Sequence, residues 1–108
     1  MKKFDESYVL IKDMVDDDYY PKFLVEKIRN LIFPVITLLE NGETEVSVIQ
    51  AKLDEMTLAI NDLQEEFDEN DSEIETVARD SIAVTIGHIM EWFGIDIDME
   101  TALRERDW

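Results

Sequence analysis

A chain of 108 residues with 27 acids against 10 bases carries a formal charge of −17, which repels phosphate backbones and anionic lipid and argues against direct nucleic-acid or membrane-surface binding. Hydrophobic residues at 45% beside 34% charged ones, with three glycines and two prolines, describe one compact helical domain, residues 1–108, and not a disordered acidic tail. Cysteine is absent, which removes disulfides, thiolate nucleophiles and thiolate metal sites together.

The opening Met1-Lys2-Lys3-Phe4-Asp5-Glu6 brings charges where a secretory leader needs apolar residues, and no run approaches about 18 apolar residues, so a cytoplasmic protein is expected. Asp5 or Ser7 then caps a short helix whose apolar face is Tyr8, Leu10, Ile11, Met14 and Val15. It ends at Asp16-Asp17-Asp18, where adjacent carboxylates repel one another. Pro21 suits the first position of the next helix.

From Phe23 to Leu39 runs the longest apolar stretch. Leu24, Val25, Ile28, Leu31, Ile32, Val35, Ile36, Leu38 and Leu39 cover an arc of roughly 160°, wider than the ~100° stripe of a helix lying on a core. Such a helix takes neighbours on two sides. Pro34 lacks the N–H that would reach Asn30, so a kink is expected between them, and Asn41-Gly42 supplies a left-handed stop.

Thr44 or Ser47 caps the third helix. Its apolar positions, Val46, Ile49, Leu53, Met56, Ile60, Leu63 and Phe67, alternate spacings of three and four, a heptad seam that implies a crossing of about 20° with its partner. An antiparallel hairpin with the central helix is the economical partner; a homodimeric coiled coil uses the same pattern. The acids from Asp68 onward invite a calcium loop, but Glu73 stands where the glycine belongs. Ser72 with Glu75 reads instead as a capping box opening a fourth helix, about Glu73 to Phe93.

That helix turns Ile74, Val77, Ala78, Ile82, Thr85, Ile89, Trp92 and Phe93 inward and is followed by Gly94. His88, the single histidine, shares this arc with Ser81, Thr85 and Trp92. A packed neutral imidazole is one reading; a ligand-binding or pH-sensing site formed by His88, Trp92, Ser81, Thr85 and Glu91 is the other. Ser81 and His88 stand two turns apart, about 10 Å, too far for a nucleophile and its base. His88 and Glu91 could share a metal, but carboxylate-bridged di-metal bundles need a second histidine. No phosphate-cradling glycine loop occurs. Neither catalytic residues nor a metal or other cofactor is therefore expected.

After Gly94, Asp98 caps a last short helix, Met99 to about Arg106. Arg104 and Arg106 are expected to pair with nearby acids, and Trp108 to dock on the bundle.

The stretches Asp17 to Leu24, Asn61 to Phe67, Ser72 to Arg79 and the closing Arg106-Asp107-Trp108 resemble a family of small, acidic, all-helical bacterial proteins catalogued as a domain of unknown function. The resemblance runs over most of the chain. It implies a bacterial cytoplasmic setting and a helical fold, and it brings no activity or site residues.

The expected architecture is all-α: an up-and-down bundle of three long helices with short helices at both ends. The expected role is a non-enzymatic interaction module, monomeric or dimeric, holding a basic protein. The alternatives are a small-ligand or metal pocket near His88 and Trp92, and an acidic mimic of DNA.

Overall fold

In the computed structural model, residues 2–108 form α1 (Lys12–Val15), α2 (Lys22–Glu40), α3 (Val46–Glu69), α4 (Thr76–Phe93) and α5 (Met99–Ala102), with no strand among the described residues. Three of these helices are long, and they supply most of the core. No helix among the described residues is long and apolar enough to cross a membrane.

The heptad seam of α3 is buried from Ile49 through Leu53, Met56, Ile60 and Leu63 to Phe67, leaving only Val46 half exposed. It faces the buried side of α2, formed by Leu24, Val25, Ile28, Ile32, Val35, Ile36 and Leu39. Lys27, near the start of α2, pairs with Glu66, near the end of α3, at 2.7 Å, so these two helices run antiparallel. The seam is thus consumed within one chain. Leu31 and Leu38 sit only half-buried, and Phe23 and Phe33 are exposed, so α2 keeps one solvent face. Pro34 and Asn30 both lie on that face, and the helix continues through the proline.

Each long helix ends with the same reversal, in which two amides beyond the helix return to carbonyls of its last turn. The glycine-bearing ends bond Glu43 N–H to Leu38 O (3.3 Å) and Ile95 N–H to Met90 O (2.8 Å). The end of α3 uses Asp71, at φ 56°, as its left-handed residue, with Ser72 N–H donating to Phe67 O at 2.9 Å.

Several expectations need correction. Neither Thr44 nor Ser47 caps α3, which starts after Glu45 with no side-chain cap, and Val77 faces outward from α4, 42% exposed. Ser72 does not cap α4: its backbone closes α3, its hydroxyl is buried without a partner, and Glu75 caps instead, accepting from Val77 and Ala78 N–H at 3.3 and 3.4 Å. The fourth helix therefore begins at Thr76, not Glu73. The amino-terminal helix is a single turn, because Ile11 adopts a left-handed conformation (φ 47°, ψ 47°) that ends any helix arriving from Asp5 or Ser7. The last helix stops at Ala102, short of Arg106.

The remaining packing is tertiary. α4 lies closest to α1 and α5 and buries Ala78, Ser81, Ile82, Thr85, Ile86, Ile89 and Met90. Tyr20, fully buried before α2, donates its hydroxyl to the Glu75 carboxylate before α4.

Candidate functional site

Helical spacing places His88 and Trp92 one turn apart on α4, and the amino-terminal segment is drawn across them as a strap. Trp92 Nε1–H donates to Lys3 O at 2.8 Å, and Lys2 Nζ donates to Trp92 O at 2.6 Å while standing 5.1 Å from the indole centre. Tyr8 stacks on His88 at 4.2 Å with the rings 14° from parallel. Phe4 meets His88 edge-on at 5.7 Å and Trp92 at 6.0 Å, and its amide donates to the Glu40 carboxylate at 2.8 Å.

Within this cluster His88 Nε2 is buried and makes no hydrogen bond; Asp5 Oδ2 lies 3.8 Å away, beyond bonding distance. Ser7 holds the Asp5 carboxyl below the usual aspartate range, donating from its hydroxyl at 2.6 Å and its amide at 3.0 Å, with a smaller pull from the imidazole. One carboxylate and one imidazole form no nucleophile, base and orienting group together. Among the described residues no three His, Asp or Glu side chains are grouped to hold a metal ion.

The other candidate residues lie elsewhere. Thr85 Oγ1 accepts the buried Ile11 N–H at 2.9 Å and, with Ser81, lines a separate cavity of about 340 Å³ behind Tyr8. Glu91 is exposed, and its side chain makes no hydrogen bond among the described residues. Composition and periodicity found the α4 side of the cluster and missed Phe4, Asp5 and Tyr8. The one available signal was the aromatic pair Phe4 and Tyr8, spaced like a helical face in a segment that is not helical.

A larger cavity, about 770 Å³, opens between the start of α3 and the segment running into α5; Val46, Ser47, Gln50, Asp96, Ile97 and Asp98 line it, with Thr101 and Arg104. Its polar framework is fixed from below. Gln50 Nε2 donates to Asp54 Oδ1 and to Thr101 O, both at 2.9 Å. Arg104 grips the same carboxylate with two bonds, Nε at 3.1 Å and a terminal nitrogen at 2.6 Å. That grip holds the Asp54 carboxyl below its usual range. Asp98 caps α5 by accepting Thr101 N–H at 2.8 Å, which lowers its carboxyl in the same way. Beyond these, Asn61 and Gln64 hold Glu105 O and Asp107, and Trp108 packs half-buried on the core.

These features define a small all-helical protein with a packed aromatic cluster at one end and a polar cavity along α3. Residues 4–108 match a family described as a family of unknown function, DUF5713, and the chain belongs to that family. No curated protein and no solved structure matches it significantly.

Proposed function

We propose that this protein is a non-enzymatic interaction module that holds a basic protein partner on an up-and-down bundle. What supports the bundle reading is that Tyr20 and Glu75 join the starts of α2 and α4, while Phe4 touches both of their ends through Glu40 and Phe93. With α3 antiparallel to α2, the order is up, down, up.

The observation that carries the interaction reading is the outer face of α3. At 100° per residue, Ser47, Val48, Ala51, Glu55, Leu58, Asp62, Glu65 and Glu69 share an arc of about 100°, opposite the seam. All are exposed, none is basic, and Val48 and Leu58 show 41% and 49% of their surface. Apolar side chains interleaved with carboxylates suit an amphipathic segment bearing lysine or arginine. A second copy of this chain fits poorly, since at −17 it would oppose acid to acid.

The test compares retention of lysate proteins, across salt, by wild type and by a Glu55→Lys/Asp62→Lys variant. The reading expects basic partners on the wild type that leave as salt rises and are missing from the variant. Finding no basic partner at low ionic strength would overturn it. A second reading, a small-ligand site beside His88 and Trp92, draws on the unpartnered His88 Nε2; a ligand that shifts the His88 ring resonances would favour it.

A further inference from the structure

We infer that the open face of α2 is where a second copy of this chain docks, antiparallel, with Phe23 of each copy seated in a groove on the other. The inference is separate from the basic-partner reading, which uses the outer face of α3. Phe23 and Phe33 keep 50% and 44% of their surface exposed, the most open phenylalanines among the described residues. Two large rings left open on one helix mark an association surface.

Charge selects the kind of occupant. The chain sets 27 acids against 10 bases, yet α2 alone among the described helices holds more bases than acids: Lys22, Lys27 and Arg29 against Glu26 and Glu40. A basic partner is not drawn here, whereas an acidic one meets no wall of carboxylates. On α3 a second copy would oppose acid to acid. On α2 it does not, because Glu26 is the one exposed acid and Arg29 already answers it at 2.7 Å.

Shape singles out a second copy among acidic partners. Beside Phe33 a groove of about 580 Å³ is walled by Pro34, Thr37, Leu38 and, from α3, Lys52. Thr37 lies two turns beyond Asn30 and Phe23 two turns before it on the same stripe, each about 10 Å from Asn30 along the axis. A two-fold axis through Asn30 therefore lays Phe23 of one copy over Thr37 of the other, and the same operation seats the second Phe23 in the first groove. Knob and hole belong to one helix. In this register Glu26 of one copy meets Pro34 of the other and Lys27 meets Phe33, so no like charges are opposed, and two Asn30 amides face each other at the axis. Lys27, held by Glu66, stands 5.7 Å from its own Phe23 ring centre and steadies the knob.

One helix face about 28 Å long covers less than the ~800 Å² per partner of a standard interface, so the dimer is weak and forms as concentration rises. Repulsion between two chains of −17 is screened by salt, while apolar contact is not.

The test is sedimentation equilibrium of the whole protein up to about 1 mM, at low and high salt. Wild type should pass from monomer to dimer, more tightly at high salt, the reverse of a basic partner. Phe23→Ala and Thr37→Glu, both at exposed positions, should each weaken the dimer about tenfold or more, and Leu58→Ala on α3 should leave it unchanged. Because the chain holds no cysteine, Asn30→Cys places a single thiol at the axis, and a short bis-maleimide should link two copies there but not through Asp80→Cys on α4. A chain that stays monomeric at the highest concentration and salt overturns the proposal. So does a dimer that Leu58→Ala weakens and Phe23→Ala does not, or equal cross-linking through Asn30→Cys and Asp80→Cys.

Discussion

The α2–α3 hairpin and the α4 face that carries His88 are held together by different means. In the hairpin, a repeating apolar seam meets a repeating apolar face over the length of both helices, and any one contact is a small part of the whole. On α4, an irregular strap is fixed by single, sequence-distant bonds, Lys3 with Trp92 and Ile11 with Thr85, and Phe4 ties it to Glu40 at the end of α2. The first kind of interface is redundant and cooperative. The second depends on individual atoms, and Ile11 makes it more so, because a β-branched residue in a left-handed conformation costs about 1–3 kcal/mol that neighbouring contacts must offset.

The largest effect should come from the seam. Ile60→Ala, at a fully buried position in the middle of α3, should lower unfolding stability by about 2–5 kcal/mol in urea titration and do so for the whole molecule at once. A local loss confined to α3 would break the contrast. Thr85→Val keeps the shape but removes the acceptor of the buried Ile11 amide, at a cost of about 1–3 kcal/mol. Hydrogen exchange should then show the strap and α1 opening before the hairpin. Equal loss of protection in both regions would show that the strap is integral to the core.

Acid should produce the smallest effect and sharpen the difference. Asp5, Asp54 and Asp98 all have carboxyls held below their ordinary value of 3.8, each chiefly by a hydrogen bond to the charged form. Their contribution is therefore fully present above that value and is lost as pH falls through the lowered folded values. Asp5 belongs to the strap, Asp98 to the tail, and Asp54 grips the tail through Arg104. Below about pH 4, where free aspartate itself protonates, the protection of amides relative to the unfolded chain should fall in the strap and tail while the seam stays protected. The change should be modest, since Asp98 is exposed and Asp5 and Asp54 are only partly buried, so solvent still screens all three.

The same contrast explains what could be read from the sequence. The α3 seam and most of the buried face of α2 follow from side-chain period alone, and the left-handed stop at Gly42 follows from the Asn41-Gly42 pair. The start of α4 was misplaced because Ser72 and Glu75 have the spacing of a capping box, while Asp71, by taking a left-handed conformation, spends Ser72 on closing α3. The amino-terminal helix failed for a related reason. Tyr8, Leu10 and Ile11 are spaced like a helical face, yet each is placed by tertiary contact, and no local preference announces that Ile11 will turn left-handed. At the candidate site, the period put His88 and Trp92 on one face of α4. It could not supply Phe4, Asp5 or Tyr8, which arrive from the far end of the chain.

The two tryptophans sit at opposite ends of the chain's architecture. Trp92 holds Lys3 through its indole N–H, and Trp108 rests half-buried on the core with the Arg106 guanidinium 5.9 Å from its ring. Each indole is therefore an optical gauge of one terminus. Trp92→Phe and Trp108→Phe variants would separate the two signals, and a red shift in the emission that remains would report which end of the chain lets go first.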